Sequence, residues 1–265
     1  MLKQPTIEKL KDLKLRVMAD MLSEPDSSLR ELSFEDRFGL MVERQWLARK
    51  NSRIKRLIAA ARLGIPDACL EDIYYSDDRT IDKKLISTLS TCAYIEQRLN
   101  VVLSGKTGSG KTFLASGLGN CACRNGHKTV YYRIPELLLE IQEARDSKRY
   151  LKYMDQLKSV KLLILDDVGL KSYSLEESRD ILEITEARYN KNSTILSAQF
   201  PHLKWYDLFA DPTIADAVMD RVIHNAYIMP LDSKLSMREV MAENVVFHPH
   251  CTSVSLALYQ PLILS

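Results

Sequence analysis

An α/β fold, with a parallel sheet flanked by helices and preceded by a small all-helical domain, is what this sequence predicts. Three observations carry the prediction. Residues 105–112 read Gly-Lys-Thr-Gly-Ser-Gly-Lys-Thr, a glycine-rich turn set between an apolar strand and a small-residue helix. Residues 161–166, Lys-Leu-Leu-Ile-Leu-Asp, are a continuous apolar run ending in acid, as in a strand buried on both faces. From residue 100 onward helix and strand signals alternate, as the crossover units of a parallel sheet require.

The elements run in this order. Thr6 to Leu22 places Leu10, Leu13, Val17 and Met21 on one helical face, and Pro25 and Asp26 end it. Ser33-Phe-Glu-Asp36 has the form of a weak capping box and opens a second helix, running through Phe38, Leu40 and Met41 toward Trp46 and Leu47. Gly64-Ile-Pro66 closes the helical region. Asn100 to Ser104 reads as the strand entering the glycine turn, and Phe113 to Cys123 as the helix leaving it. Lys128 to Arg133 is a second strand, after which Pro135 starts a helix where its missing N–H costs nothing. The acidic strand comes next, at 161–166. Ser174-Leu-Glu-Glu177 caps a helix running to about Asn190, and Ser193 to Gln199 is a fourth strand.

Composition narrows the class. The chain has 265 residues, a net charge of +2 and 46% hydrophobic residues, which suits a soluble protein and names no partner by itself. Its five cysteines (Cys69, Cys92, Cys121, Cys123 and Cys251) are odd in number and lack C-x-x-C spacing. That argues against a disulfide framework or a zinc site and fits a reducing compartment. No run approaches a membrane span, so a cytoplasmic location is expected and no membrane partner.

The octapeptide fits the phosphate-binding loop G-x-x-x-x-G-K-[ST] at every constrained position. Backbone N–H groups of Gly105, Lys106, Thr107, Gly108, Ser109 and Gly110 would cradle ATP phosphates, Lys111 would reach the β- and γ-phosphates, and Thr112 would take a place on Mg²⁺. Asp166 and Asp167 come about 55 positions later. The spacing leaves room for a helix–strand–helix unit and implies an extra strand between the loop strand and the acidic strand. Asp166 would hold Mg²⁺ through its water shell, and Asp167 would orient or deprotonate the attacking water.

Asp211-Pro-Thr-Ile-Ala-Asp-Ala-Val-Met-Asp-Arg-Val-Ile-His224 and Ser236-Met-Arg238 resemble stretches of the IstB-type transposition helper ATPases, relatives of the DnaC helicase loaders within the AAA+ class. The resemblance extends through Leu162 to Gly169, Ala122 to Gly126 and the phosphate loop, covering about residues 6 to 240. It implies an AAA+ P-loop ATPase fold and an ATP-dependent homo-oligomer that assembles on duplex DNA and assists a transposase in target capture. It also implies that Gln199 is the polar sensor, Arg221 an arginine finger completing a neighbouring subunit's site, and Arg238 a second sensor. The chain departs from the family at Val168, where relatives usually carry an aromatic, and from Asn244 onward. The expected division is 1–72 as a helical, basic DNA-binding domain, 73–243 as the ATPase domain, and 244–265 as an atypical tail.

Between Glu43 and Asp67 stand seven basic residues and no acidic one. Arg49, Arg53 and Arg56 share a helix face, with Lys50 and Lys55 beside them, while Leu47, Ile54, Leu57 and Ile58 can face inward. A solvated or protein-docking face carries the same pattern; the resemblance favours duplex DNA, through phosphates rather than base edges. A DnaC-like helicase loader, binding single strands and a replicative helicase, shares every nucleotide motif and is the alternative. A small-molecule kinase using the same loop is a second rival; its lid would need arginines closing over a bound acceptor, and no acceptor pocket can be argued from the sequence.

Overall fold

The computed structural model describes residues 3–23, 32–76, 79–233 and 236–237. Helices α1 (Lys3–Asp12), α2 (Arg16–Ser23) and the long α3 (Phe34–Ala61) come first. A two-residue strand β1 (Arg79–Thr80), then α4 (Lys83–Ser90) and α5 (Ala93–Glu96), lead into β2 (Asn100–Ser104) and α6 (Lys111–Arg124). Next come β3 (Thr129–Arg133), α7 (Ile134–Asp146), α8 (Tyr150–Ser159), β4 (Leu162–Val168), α9 (Leu175–Arg188) and β5 (Ser193–Ala198). The last described elements are α10 (Pro212–Ile223), β6 (Ala226–Pro230) and β7 (Asp232–Ser233), which pairs antiparallel with β1.

The main sheet has the order β3-β4-β5-β2-β6, and every pairing in it is parallel. Residues alternate between two cores, as the period of a strand dictates. Leu162 and Ile164 join Val101 and Leu103 in the core under α6, while Leu163 and Leu165 join Val102 in the core under α7, α9 and α10. This explains why the acidic strand carries an unbroken apolar run: both its faces are covered. The extra strand between loop strand and acidic strand is present. It is β5, the fourth in sequence; the strand intervening in sequence, β3, lies at the sheet edge instead.

Small residues on α6 let it lie close to its neighbours. A Cβ added at Gly119 would sit 2.7 Å from both Ile164 and Leu63, so the helix tolerates glycine in its interior, about 1 kcal/mol less favourable than alanine, for close packing.

The amino-terminal helix differs from expectation. Residues 6–22 form two helices, α1 and α2, because Lys14 adopts left-handed φ (60°) and Leu15 N–H bonds Leu10 C=O at 2.7 Å while Lys14 N–H bonds Lys11 C=O at 2.9 Å. That pair of bonds is a Schellman turn with lysine at the usual glycine position. The buried face is accordingly Ile7, Met18 and Ala19, and Leu13 is 65% exposed. On α3, Leu47 and Trp46 face solvent, while Leu57 and Ile58 pack on the sheet core. Ser33 does cap α3, its side chain accepting from Asp36 N–H at 3.1 Å. The break expected at Pro25 and Asp26, Arg238, and residues 244–265 with His248, His250 and Cys251 lie outside the described residues.

Candidate nucleotide site

Four of the five parallel strands deliver side chains or turns to one end of the sheet, at their carboxyl termini. β2 runs into the glycine turn, where Gly105 N–H bonds Ala198 C=O at 3.2 Å and Ser104 C=O accepts from Leu231 N–H at 2.6 Å. A Cβ at Gly105 would lie 2.0 Å from the Leu231 carbonyl oxygen, and Gly110, at φ 91°, would bring one within 2.8 Å of Arg79. Glycine at these two places is therefore required by close approach and by backbone conformation. Lys111 opens α6 and is buried, its ammonium donating to Gly105 C=O at 2.6 Å and Lys106 C=O at 2.8 Å. Burial lowers its pKa from the ordinary lysine value, against the opposing pull of Asp166 and Asp167.

Asp166 is 1% exposed and accepts three hydrogen bonds. Thr112 Oγ1 donates to its Oδ2 at 2.7 Å, Tyr131 Oη to the same oxygen at 2.8 Å, and Asp167 N–H to Oδ1 at 2.9 Å. The expected pair Thr112 and Asp166 is thus in direct contact across 54 positions of sequence. Asp167 sits at left-handed φ (59°), a conformation aspartate tolerates better than most residues. It is ion-paired to Arg133, whose Nε donates to Oδ2 at 2.7 Å. Gln199 comes directly after β5 and is exposed, and Ala198 before it pairs with both Ser104 and Val168.

The residues present suit a magnesium nucleotide. Thr112 and Asp166 form a hydroxyl–carboxylate pair of hard oxygen donors, the glycine turn leaves no room for a Cβ, and the Ser109 hydroxyl is buried with no partner among the described residues.

Three residues at the site were missed by sequence reasoning. Tyr131 and Arg133 project from the same face of β3, two residues apart, and reach Asp166 and Asp167 respectively. Their alternation along the strand was readable, but the adjacency of β3 to β4 was not. Arg79 donates to Ser109 C=O at 2.9 Å and Tyr74 C=O at 2.5 Å, and nothing in the local sequence marks it.

Arg221 is elsewhere. Its backbone carbonyl accepts from Asn100 Nδ2 at 3.2 Å, beside the first residue of β2. Its guanidinium donates to Ala217 C=O at 2.8 Å and pairs with Glu186 at 2.7 Å. Five strand steps, about 16 Å, separate Asn100 from Gly105 at the start of the loop. Met237, the chain neighbour of Arg238, donates its N–H to Gly108 C=O at 2.8 Å.

On α3 the five basic residues singled out are all exposed. Arg49 donates to Leu13 and Lys14 C=O and Arg53 to Gly126 C=O, each at 3.4 Å; Arg56 donates to Ser52 C=O at 3.4 Å, and Lys50 lies 5.0 Å from the Trp46 ring centre. Among the described residues none of the five, Lys55 included, is in an ion pair, so no described carboxylate neutralises their charge. No described helix is long and apolar enough to cross a membrane.

The family described as IstB-like ATP binding protein matches residues 8–243. An insertion sequence ATP-binding protein of Sinorhizobium fredii (strain NBRC 101917 / NGR234) is 36% identical over 236 residues, which is 88% of this chain and 96% of that protein. The crystal structure of DnaI matches with a TM-score of 0.56 at 20% identity, covering 67% of this chain and 93% of that one. AMPPCP-bound DnaA from Aquifex aeolicus gives a TM-score of 0.54 at 20% identity, over 69% of this chain and 56% of the longer DnaA chain. At such identities these two structures speak to the fold alone, a parallel sheet flanked by helices.

Proposed function

This chain belongs to the IstB-like ATP-binding family, and from that premise we propose that it is the ATP-switched, duplex-DNA-binding helper of a transposase, acting in target capture. Membership makes it an ATPase of an insertion-sequence helper family. The finer reading is ours. Residues 105–112 cradle the triphosphate, with Lys111 on its β- and γ-phosphates. Thr112 and Asp166 would hold Mg²⁺, which supplies charge neutralisation of the phosphates when bound. Asp167 orients or deprotonates the attacking water, and Gln199 helps position it.

One observation carries the oligomeric part of the reading. Arg221 is fixed at the opposite end of the sheet from its own glycine turn, so a role on a γ-phosphate requires the phosphate of another copy. Arg238 would contact the nucleotide in its own chain, a role favoured by the Met237–Gly108 bond next to it. ATP then joins subunits, because each loop is completed by a neighbour's guanidinium, and loss of the γ-phosphate loosens them. The exposed basic face of α3 (Arg49, Lys50, Arg53, Lys55, Arg56) meets the DNA backbone. We assign residues 1–72 to DNA binding, 73–243 to ATP chemistry and 244–265 no role, and the cytoplasm as the compartment.

Sizing the protein with a non-hydrolysable ATP analogue, with and without duplex DNA, tests this. Nucleotide-dependent assembly enhanced by duplex is the expected result. A monomer under every condition overturns the proposal, and assembly driven only by single strands together with a replicative helicase favours the loader.

A further inference from the structure

Between α3 and the sheet the chain forms a strap laid across α6. Leu63 is buried against the position of Gly119, Ile65 N–H bonds Ser116 Oγ at 3.1 Å, Asn120 Nδ2 bonds Pro66 C=O at 3.3 Å, and Leu70 fills the space beside Gly117. The small and polar residues of α6 are thus the bed for this strap. Gly64 lies against Tyr131 of β3. A Cβ there would lie 2.6 Å from the Tyr131 hydroxyl oxygen and 2.7 Å from the ring carbon bearing it. The same hydroxyl donates to Asp166 Oδ2 at 2.8 Å. From Gly64, three residues past the end of α3, to the acid beside Thr112 there are therefore two contacts, Gly64 on Tyr131 and Tyr131 on Asp166.

We infer that Tyr131 is a positioning residue for the Asp166 carboxylate, and that the Gly64 backbone clamps it, so that the segment carrying α3 sets the geometry of the metal-binding acid. The inference rests on the reading of Asp166 as a Mg²⁺-site residue. Asp166 Oδ2 accepts from two hydroxyls, and one of them, Thr112, is the group that would turn to the metal. Tyr131 is then the donor that keeps the carboxylate aimed. Because the hydroxyl is held between a backbone on one side and a carboxylate on the other, a shift of the strap moves the phenol and the phenol moves the acid. Side chains this closely packed transmit displacement rather than absorb it.

The test is a Mg²⁺ titration of the full chain, read by binding of a fluorescent, non-hydrolysable ATP analogue rather than by turnover. In the wild-type protein, Mg²⁺ should raise affinity for the analogue; if it does not, the Asp166 reading falls and the inference with it. Given that dependence, Tyr131→Phe should raise the Mg²⁺ concentration for half-maximal effect by about tenfold, the loss of one hydrogen bond to a charged group, and leave Mg²⁺-free binding unchanged. Gly64→Ala, outside the glycine turn, should shift the Mg²⁺ response in the same direction. Because both act through one contact, the double variant should be no worse than the worse single variant. An unchanged Mg²⁺ response in Tyr131→Phe, even with lowered thermal stability, would reduce the tyrosine to a packing role and overturn the inference while leaving the site intact. Fully multiplicative effects of the two substitutions would break the link to the strap. Should Gly64→Ala not fold, Tyr131→Phe alone still decides the positioning role.

Discussion

Truncating Thr112 probes the hydroxyl–carboxylate pair most directly. Its Oγ1 donates at 2.7 Å to a carboxylate that is 1% exposed, and such a charge-assisted bond contributes about 1.5–3 kcal/mol net. Thr112→Ala leaves Asp166 with Tyr131 on the same oxygen and Asp167 N–H on the other, so the loss falls at the lower end, about 1.5 kcal/mol. Thr112 also lies in the first turn of α6, where alanine is the better helix former by up to about 0.7 kcal/mol. The net destabilisation of the nucleotide-free protein is therefore about 1 kcal/mol. Thr112→Ser, which keeps the hydroxyl, should cost well under that. Urea unfolding measures both as shifts in midpoint at constant slope. The second arm adds ATP with Mg²⁺ at about a hundredfold excess over Kd, which stabilises the wild type by about 2.7 kcal/mol. Thr112→Ala should lose most of the Mg²⁺-dependent part of that gain and Thr112→Ser should keep it. An alanine variant unfolding at the wild-type midpoint would show that the bond contributes nothing. One retaining the whole Mg²⁺-dependent gain would remove Thr112 from the metal site.

Arg221→Ala should keep ATP binding and lose most turnover, roughly 10³-fold or more, and mixing with Asp167→Asn subunits should restore part of it; steady-state phosphate release measures both, and no recovery argues against action between copies. Reversing Arg49 and Arg53 to glutamate should weaken duplex binding and flatten the plot of log affinity against log salt by up to about two units, with an unchanged slope placing the DNA elsewhere. Glu183 is held below the ordinary carboxylate range by hydrogen bonds from the Lys158 amine and then the Tyr150 hydroxyl. A depressed folded pKa gives stability that is present above the unfolded value, about pH 4.3, and lost as pH falls through the folded one. Lys158→Met should accordingly flatten the fall in thermal stability below about pH 4.3, and an unaltered acid limb would refute the pairing.

How much could be read beforehand depended on whether a residue's partner is local. The strands at 100–104, 129–133, 162–168 and 193–198, and the caps at Ser33 and Ser174, were legible because period, turn glycine and capping serine act within a few residues. Helix ends divide the same way. α6 ends in a Schellman turn at Gly126 (φ 86°), visible as a glycine, but α1 and α7 end in the same turn at Lys14 (φ 60°) and Lys148 (φ 58°). Lysine there is disfavoured by backbone sterics, so only the packing of α2 and α8, the helices entered from those turns, could specify it. Tyr131 and Arg133 were illegible for a related reason: their partners are fixed by strand order, which places β3 beside β4.

The remaining residue, Arg221, was legible as a motif but its geometry adds something the motif does not contain. It is neither loose nor locked. Glu186, its partner at 2.7 Å, is 57% exposed along its side chain, and an exposed pair of this kind is worth at most about 1 kcal/mol. A bidentate guanidinium–phosphate contact in a partly dehydrated interface is worth more than that, since charge-assisted bonds strengthen as water is excluded. The guanidinium is thus pre-oriented on the outer face by a partner weak enough to be exchanged, while its backbone is anchored through Asn100 to the strand that carries the glycine turn. The same strand that feeds its own phosphate loop at one end holds, at the other, the arginine that we propose acts on the next copy. That strand, β2, is five residues long and fully buried.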